Sequence, residues 1–448
     1  MFKVTELLKA SSGKLSSGSK DAVARGISID SRTLKKGEAF LALKGDNFDG
    51  HDFIPQAIRN GAGCVISQKE GRHKGVTFIK VQDTTYALGE LARFNRQRFK
   101  DVPVIAVTGS NGKTTAKEMI AQVLARKFKV LKNEGTKNNH IGLPLTLLQL
   151  DNSYDIAVLE IGTNHFGEVE YLSRIALPNI GVITNIGPAH LEYFKSLNGV
   201  FQEKYSLLKA LQKPAIAIVN SDDLILRKIA LKKTRSPLVL SVGLKQKSDF
   251  FASGISFKRG RPAFKVNQRF KFALKTLGYY NIYNSLLAVA AARIFGLTYR
   301  DISRGLAGFD LPKSRLNFIE IKGIKFIDDT YNSNPLSLKQ ALGVLENFSV
   351  TGKKIFVMGD MLELGASSRI LHARAIRDAL RVADTLITVG QLSRECLNKN
   401  IRAKNKIFNC GSAAEARRIL LDEAGAGPED IVLLKGSRRM KMEEVLKI

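Results

Sequence analysis

Cysteine is scarce in this chain of 448 residues: Cys64, Cys396 and Cys410 are odd in number and show no CxxC or paired spacing. A disulfide framework is thereby excluded, and free thiols in a reducing cytoplasm are expected, with no catalytic or metal role. Apolar runs near the roughly 18 residues that cross a bilayer are also missing. The opening stretch MFKVTELLKASSGK carries too little apolar sequence for a secretory signal. RNP, zinc-finger and basic-zipper patterns are absent. Acidic residues are few against basic ones, 41 Asp and Glu facing 70 Lys and Arg, which leaves a formal charge of +29. Such a charge suits nucleic acid or a polyanionic small substrate. Here it is spread along the whole chain, so a solvated basic surface is the reading and no nucleic-acid partner is expected. Hydrophobic residues at 44% and charged residues at 25% are globular composition, and the length calls for two or three domains.

The chain reads as three blocks. Residues 1–100 hold short β-like runs (EAFLAL, GCVISQ, VTFIKV) and a helical stretch, YALGELARFNRQRF, that ends near a linker at Asp101-Val102-Pro103. Residues 101–311 change character. VIAVTG, DIAVLEIG, NIGVITNIG and AIAIVNSDD are continuous apolar runs, each closing in Gly, Asn or Asp, as expected of central parallel strands covered on both faces. Residues 312–448 repeat the habit with KIFVMGD, TLITVG and DIVLLKGS, and read as a doubly wound, Rossmann-like domain. The fold class is α/β.

The stretch VIAVTGSNGKTTAKEM, residues 104–119, nearly fits the phosphate-loop pattern G-x-x-x-x-G-K-[ST], but Val107 stands where the first glycine belongs. Its context is right: a buried strand, a glycine loop, then TTAKEMIAQVLARKF at helical spacing. Gly109 and Gly112 let backbone N–H groups approach phosphate oxygens at a helix N-terminus. Lys113 can reach the β and γ phosphates, and the Thr114 hydroxyl can ligate Mg²⁺. Glu160, closing the next apolar run, is the carboxylate expected beside that metal. From spacing alone, His190 in ITNIGPAHLEYF reads as a hydrogen-bonded structural histidine, and Lys204 as an exposed helical lysine.

Eight ordered segments carry a resemblance to the Mur ligases, the ATP-dependent amide-bond ligases of cell-wall precursor synthesis. TGSNGKTT resembles that family's phosphate loop, which has this short lead-in, so Val107 is no defect. DSRTLKKGEAFLALKGDNFDGHDFI resembles its N-terminal UDP-sugar domain, and LEIGTNHFGEV with PAHLEYFKSLNGVFQEK its metal-site segments. GTKNNHIGLPLTLL, together with DDTYNSNPLSLKQAL, VMGDMLELG and LLKGSRRMKME, is similar to the branch that adds D-alanyl-D-alanine to UDP-N-acetylmuramoyl-tripeptide.

The resemblance implies roles residue by residue. Gly109, Ser110, Asn111, Gly112, Lys113, Thr114 and Thr115 would hold ATP phosphates, with Thr114 and Glu160 on one Mg²⁺. His190 would help hold a second Mg²⁺, and Lys204 would be carbamylated to become a carboxylate-like ligand of the metal site. Asn281 and Asn284 would lie near base and ribose, and Arg315 and Asp329 would reach the nucleotide from the C-terminal domain. Ser31 would contact the UDP-sugar, Asn138 and Asn139 belong to the substrate-side motif, and Tyr331, Asn332 and Asn334 would face the incoming dipeptide. Lys113, Lys204 and His190 are the implied catalytic set. The chain departs from the family at Lys204-Tyr205-Ser206, where Lys-Gly-Glu is usual, at Tyr280 in place of a histidine, and at Ser333 in Asn332-Ser333-Asn334-Pro335. The implied reaction passes through an acyl phosphate in a cytoplasmic monomer. The alternatives are a sibling ligase adding the third stem-peptide residue, and a nucleic-acid-dependent phosphate-loop ATPase.

Overall fold

The computed structural model describes residues 1–45, 48–232, 236–245, 248–397 and 405–448. Asp46 and Asn47, within the segment likened to a UDP-sugar domain, lie outside the described residues. The chain forms two compact units. One comprises Met1–Ala106, Lys129–Gly162 and Glu168–Asn179, the other Val107–Phe128, Thr163–Gly167 and Ile180–Ile448.

In the first unit the runs read as strands are strands. Ile27–Ser28, Ala39–Leu41, Cys64–Ser67 and Thr77–Lys80 lie parallel in that order, and Lys14–Ser17 closes the sheet antiparallel to Thr77–Lys80. The helix Thr84–Arg98 starts where Asp83 accepts the N–H groups of Thr85 and Tyr86, a side-chain cap that satisfies two otherwise orphaned donors. Its Ala87, Leu88 and Leu91 pack with Leu7, Leu41, Ile66 and Ile79 in one core, each fully buried large side chain contributing roughly 1.5–3 kcal/mol. Asn95, buried on the same helix, donates to the Leu147 and Leu150 carbonyls at 2.9 and 3.1 Å and so anchors the end of the helix Gly142–Leu147. The strands Val130–Lys132 and Ile156–Glu160 pair in parallel within this unit.

In the second unit Ile180–Ile183, Ile216–Asn220, Leu238–Gly243 and Phe250–Lys258 run parallel in sequence order. An antiparallel pair, Arg261–Val266 and Phe270–Ala273, extends the sheet. The helix Tyr280–Ile294 buries nearly every side chain. Its LLAVAAA stretch is apolar all round, which only a helix enclosed on all sides can be, and it packs along the helix Lys113–Leu124.

The same unit holds a six-stranded sheet in the order Asn317–Ile321, Ile324–Asp329, Ile431–Lys435, Lys354–Gly359, Thr385–Val389, Lys406–Cys410. All neighbours are parallel except the first pair. Side chains alternate across a strand: Phe356 and Met358 face a core built with Leu338, Leu342 and Ile376, while Ile355 and Val357 face one built with Ala416, Leu420 and Val445. Helices thus cover both faces, which is why these strands read as unbroken apolar runs. Among the described residues no helix is long and apolar enough to cross a membrane. Burial pushes the Cys64 thiol up to about 12 and Cys410 up to about 11, so both stay protonated.

Candidate active site

The strand Val104–Thr108 delivers the glycine loop, and the helix Lys113–Leu124 follows it at once. Gly109 and Gly112 adopt φ of +146° and +80°, a region L-residues rarely enter. A Cβ on Gly109 would stand 1.9 Å from Thr184 Oγ1, and one on Gly112 2.7 Å from Asn284 Oδ1. Both positions therefore demand glycine. The loop is tied to the segment after the strand Ile180–Ile183. Ser110 N donates to the Asn185 carbonyl and Asn111 N to Asn185 Oδ1, each at 3.0 Å. Thr184 Oγ1 and Asn185 Nδ2 donate to the Asn111 carbonyl, and the Ser110 hydroxyl bonds Gly187 in both directions. Two loop amides are thus engaged within the protein. The first-turn N–H groups of the following helix, including those of Thr114 and the buried Thr115, have no intrahelical acceptor and form the anion-facing end. Lys113 folds back, its Nζ donating to the Gly109 carbonyl at 2.8 Å.

The loop gathers side chains from far along the chain. Arg315 Nη2 donates to Thr114 Oγ1 at 3.0 Å while its guanidinium lies 4.0 Å over the Tyr331 ring. Asn111 and Asn334 exchange side-chain amide bonds at 2.7 and 3.2 Å. Asn334 also caps the helix Pro335–Glu346, accepting from Ser337 N. Asp329 pairs with the buried Lys435, which also donates to the Asn332 carbonyl at 3.0 Å. Burial pushes the Asp329 carboxyl up, against the opposing pull of Lys435 and Arg315.

Beside the loop opens a cleft of ≈ 250 Å³, lined among others by Asn111, Gly112, Asn220, Asp222, Tyr280, Tyr283 and Asn284. Asn284 Nδ2 donates to Asn281 Oδ1, and Asn281 Nδ2 to the Leu277 carbonyl, so both amides are held at the start of the helix Tyr280–Ile294. Tyr283 donates to Asp222 Oδ2 at 2.9 Å. Burial, then that bond, pushes its phenol up, so it remains a donor at every ordinary pH. A concave wall of aromatic faces, amides and the carboxylates of Asp222 and Asp223 beside a phosphate loop has the chemistry to take a nucleoside. Asp222, Tyr283 and Asn185 went unnamed in the sequence reading. The signal for Asp222 was present in Ser221-Asp222-Asp223, just past a strand end.

Lys204 corrects the reading from spacing. It is 1% exposed, not an open helical lysine. Burial first, then the neighbouring Lys113 ammonium, holds its pKa well below the usual lysine range, against the pull of Glu203. The pattern was legible: Val200, Glu203, Lys204, Leu207 and Leu208 are the buried residues of the helix Leu197–Lys209, a single i, i+3, i+4, i+7, i+8 stripe. Glu203, also unnamed before, accepts from Thr163 Oγ1 and Gly167 N, ordering the segment Thr163–Gly167. His190 sits at φ +52° and is hydrogen-bonded through Nδ1 to Glu363 Oε2 at 2.6 Å. That bond holds the Glu363 carboxyl below the usual range.

The remaining sites lie in the first unit. Asn133 brackets Glu160, donating to its carbonyl and accepting its N–H. Asn138 Nδ2 donates to Glu160 Oε1 at 2.7 Å. Glu160 Oε2 is buried with no hydrogen-bond partner among the described residues, an arrangement that costs several kcal/mol for a carboxylate unless a cation completes it. This orphaned oxygen fits a hard cation. Among the described residues no group of three or more His, Cys, Asp or Glu forms a ready-made metal cage, and Mg²⁺ commonly takes one or two carboxylates together with substrate phosphates. Asn139 Oδ1 accepts from Ile141 N and Gly142 N at a helix start. Ser31 donates to Gln56 Oε1 at 2.8 Å.

Three family models match the chain in order. "Mur ligase family, catalytic domain" covers residues 23–96, "Mur ligase middle domain" residues 107–292, and "Mur ligase, glutamate ligase domain" residues 314–438. The UDP-N-acetylmuramoyl-tripeptide–D-alanyl-D-alanine ligase of Bacillus subtilis (strain 168) is 34% identical over 433 residues, which is 95% of this chain and 93% of the relative. A crystal structure of MurF from Acinetobacter baumannii aligns with a TM-score of 0.88 at 33% identity, covering 99% of this chain and 98% of that one. The MurF ligase of Thermotoga maritima in complex with ADP aligns at 0.84 and 30% identity, covering 96% and 98%.

Proposed function

This chain belongs to the Mur ligase family, and we propose on that premise that it joins D-alanyl-D-alanine to UDP-N-acetylmuramoyl-tripeptide at the expense of ATP, with ADP and phosphate as by-products. The observation that carries the substrate is the end-to-end likeness to ligases of that name, 34% identical across 95% of this chain for the B. subtilis enzyme. The sibling that adds the third stem-peptide residue is the weaker reading, because the Asn-Asn-x-Ile-Gly and GDMLELG segments belong to the D-alanyl-D-alanine branch. The nucleic-acid-dependent ATPase has only charge in its favour.

In this reading the tripeptide's terminal carboxylate attacks the γ-phosphorus of ATP to give an acyl phosphate and ADP. The dipeptide amine then attacks the acyl carbon, phosphate leaves, and the amine's proton passes to solvent or a base. Both the attacking carboxylate and the nucleotide are anionic, so fixed positive charge lowers the barrier. The first-turn amides and Lys113, released from the Gly109 carbonyl, meet the phosphates. Arg315 lies at Thr114 to meet the same charge, while Asn281, Asn284, Tyr280 and Tyr283 line the nucleoside side. Bound Mg²⁺ would supply charge neutralisation and orientation, held by Thr114, Glu160 and His190. The lowered pKa of Lys204 favours the neutral amine that adds CO₂, and its carbamate would be a further oxygen ligand. Asp329 reaches the nucleotide from the C-terminal domain, Tyr331, Asn332 and Asn334 face the incoming dipeptide, and Ser31, Asn138 and Asn139 serve the acceptor side. We place the domains at residues 1–100, 101–311 and 312–448, in a cytoplasmic monomer.

The test is phosphate release from ATP and Mg²⁺ with UDP-N-acetylmuramoyl-tripeptide, with and without D-alanyl-D-alanine. Release that needs both, with a pentapeptide product by mass, is expected. Release indifferent to both but stimulated by DNA or RNA overturns the proposal.

A further inference from the structure

His190 stands at the head of the short helix Leu191–Phe194 in a left-handed conformation, φ +52°. Its Nδ1 is 2.6 Å from Glu363 Oε2, a residue 173 positions away on the loop that follows the strand Lys354–Gly359. A carboxylate at Nδ1 accepts the Nδ1–H, so in the neutral imidazole the lone pair lies on Nε2. Nε2 has no hydrogen-bond partner among the described residues, and the imidazole is 20% exposed. An imidazole oriented through one nitrogen and open at the other is the usual state of a metal-binding histidine.

The loop bearing Glu363 is held rather than draped. His372, wholly buried, accepts Met361 N at Nε2, and the Ser437 hydroxyl accepts Leu362 N at 2.8 Å. The Glu363 carbonyl accepts Glu192 N at 3.1 Å, two residues past His190. Gly365, at φ +54°, approaches so closely that a Cβ would stand 3.2 Å from the Glu192 Cα. Glu363 itself takes φ +63°. Backbone and side chain alike therefore bring this carboxylate to His190.

We propose that Glu363 is a positioning residue: from the loop after Lys354–Gly359 it orients the His190 imidazole so that Nε2 faces the divalent cation of the ligase reaction. The inference rests on the metal role given to His190 above. It assigns work to the ELG portion of VMGDMLELG, a segment so far used only as a mark of resemblance.

Mn²⁺ is the probe, bound to the full chain with ADP. Electron paramagnetic resonance counts free Mn²⁺, and electron spin echo modulation reads the ¹⁴N coupling of a ligating imidazole. The wild-type protein should show the ¹⁴N coupling and His190→Ala should lose it. Glu363→Ala should weaken Mn²⁺ binding by about 10- to 100-fold and reduce the coupling, with an unchanged circular dichroism spectrum. Glu363→Gln, whose amide oxygen still accepts from Nδ1, should keep most of both. Wild-type coupling that persists unchanged in Glu363→Ala or is equally lost in Glu363→Gln overturns the positioning role while the metal role of His190 stands. Absence of coupling in the wild type overturns the metal role, and this inference with it.

Discussion

Gly109→Ala places a methyl carbon 1.9 Å from Thr184 Oγ1, about 1.5 Å short of ordinary contact at 3.4 Å, on a backbone at φ +146°. Two costs add. Holding a non-glycine residue in a sparsely populated backbone region costs roughly 1–3 kcal/mol. Moving Thr184 Oγ1 aside breaks its 2.5 Å bond to the Asn111 carbonyl, worth about 1 kcal/mol. The sum, about 2–4 kcal/mol, falls on the loop conformation that receives phosphate, so ADP affinity should drop by about 30- to 1,000-fold. Gly112→Ala is the internal comparison. Its Cβ meets only the end of the Asn284 side chain, at 2.7 Å and φ +80°, so about 1–2 kcal/mol is expected. Calorimetric titration with ADP, beside thermal denaturation, measures both variants. Adding Thr184→Ala to Gly109→Ala removes the 1.9 Å overlap and leaves atoms at 3.1 Å, so the double variant should recover part of the affinity. A Gly109→Ala protein that binds ADP within threefold of wild type at unchanged Tm would refute the steric reasoning.

Lys113→Ala should lower the ligase rate by about 10²–10³, by analogy with a lost oxyanion donor, and steady-state phosphate release checks it; a near-normal rate would sink the loop assignment. For Lys204 the sign is worked from its depressed pKa. Between the folded pKa and the ordinary value near 10.5 the unfolded chain binds the extra proton, so stability rises with pH across that window. Lys204→Met should therefore be more stable than wild type in bicarbonate-free buffer, most at low pH, with the gain shrinking as pH climbs toward 10.5; a pH-independent difference in Tm contradicts this. The same lysine, its pKa lowered by burial, should take up ¹³C-labelled bicarbonate as a carbamate carbon signal that Lys204→Met lacks. Asn138→Ala strips the donor from buried Glu160 Oε1 and should destabilise the protein by about 1–3 kcal/mol, read by denaturant unfolding.

Much of the fold was legible because its causes are local. The run KIFVMGD is unbroken because helices cover both faces of its strand, and VIAVTG reads the same way because all of Val104–Thr108 is buried. The hairpin Arg261–Val266 and Phe270–Ala273 went unnamed. Its strands alternate buried and open residues, as in Arg261, Pro262, Ala263, Phe264, Lys265 and Val266, and a short mixed pattern carries no comparable signal.

The sequence by itself determined the phosphate loop, since glycines before a Lys-Thr pair at a strand end supply the positive φ that such a loop needs, a property of the residues themselves. It determined the α/β class for the same reason: periodicity is a property of neighbours. Only the tertiary structure decided which groups meet. Arg315 reaches Thr114 across 201 positions, Asn334 reaches Asn111 across 223, and Glu363 reaches His190 across 173. It also decided the state of Lys204, whose charge is suppressed by burial and by Lys113. Contact and desolvation depend on how separate segments pack, and spacing along a chain records neither.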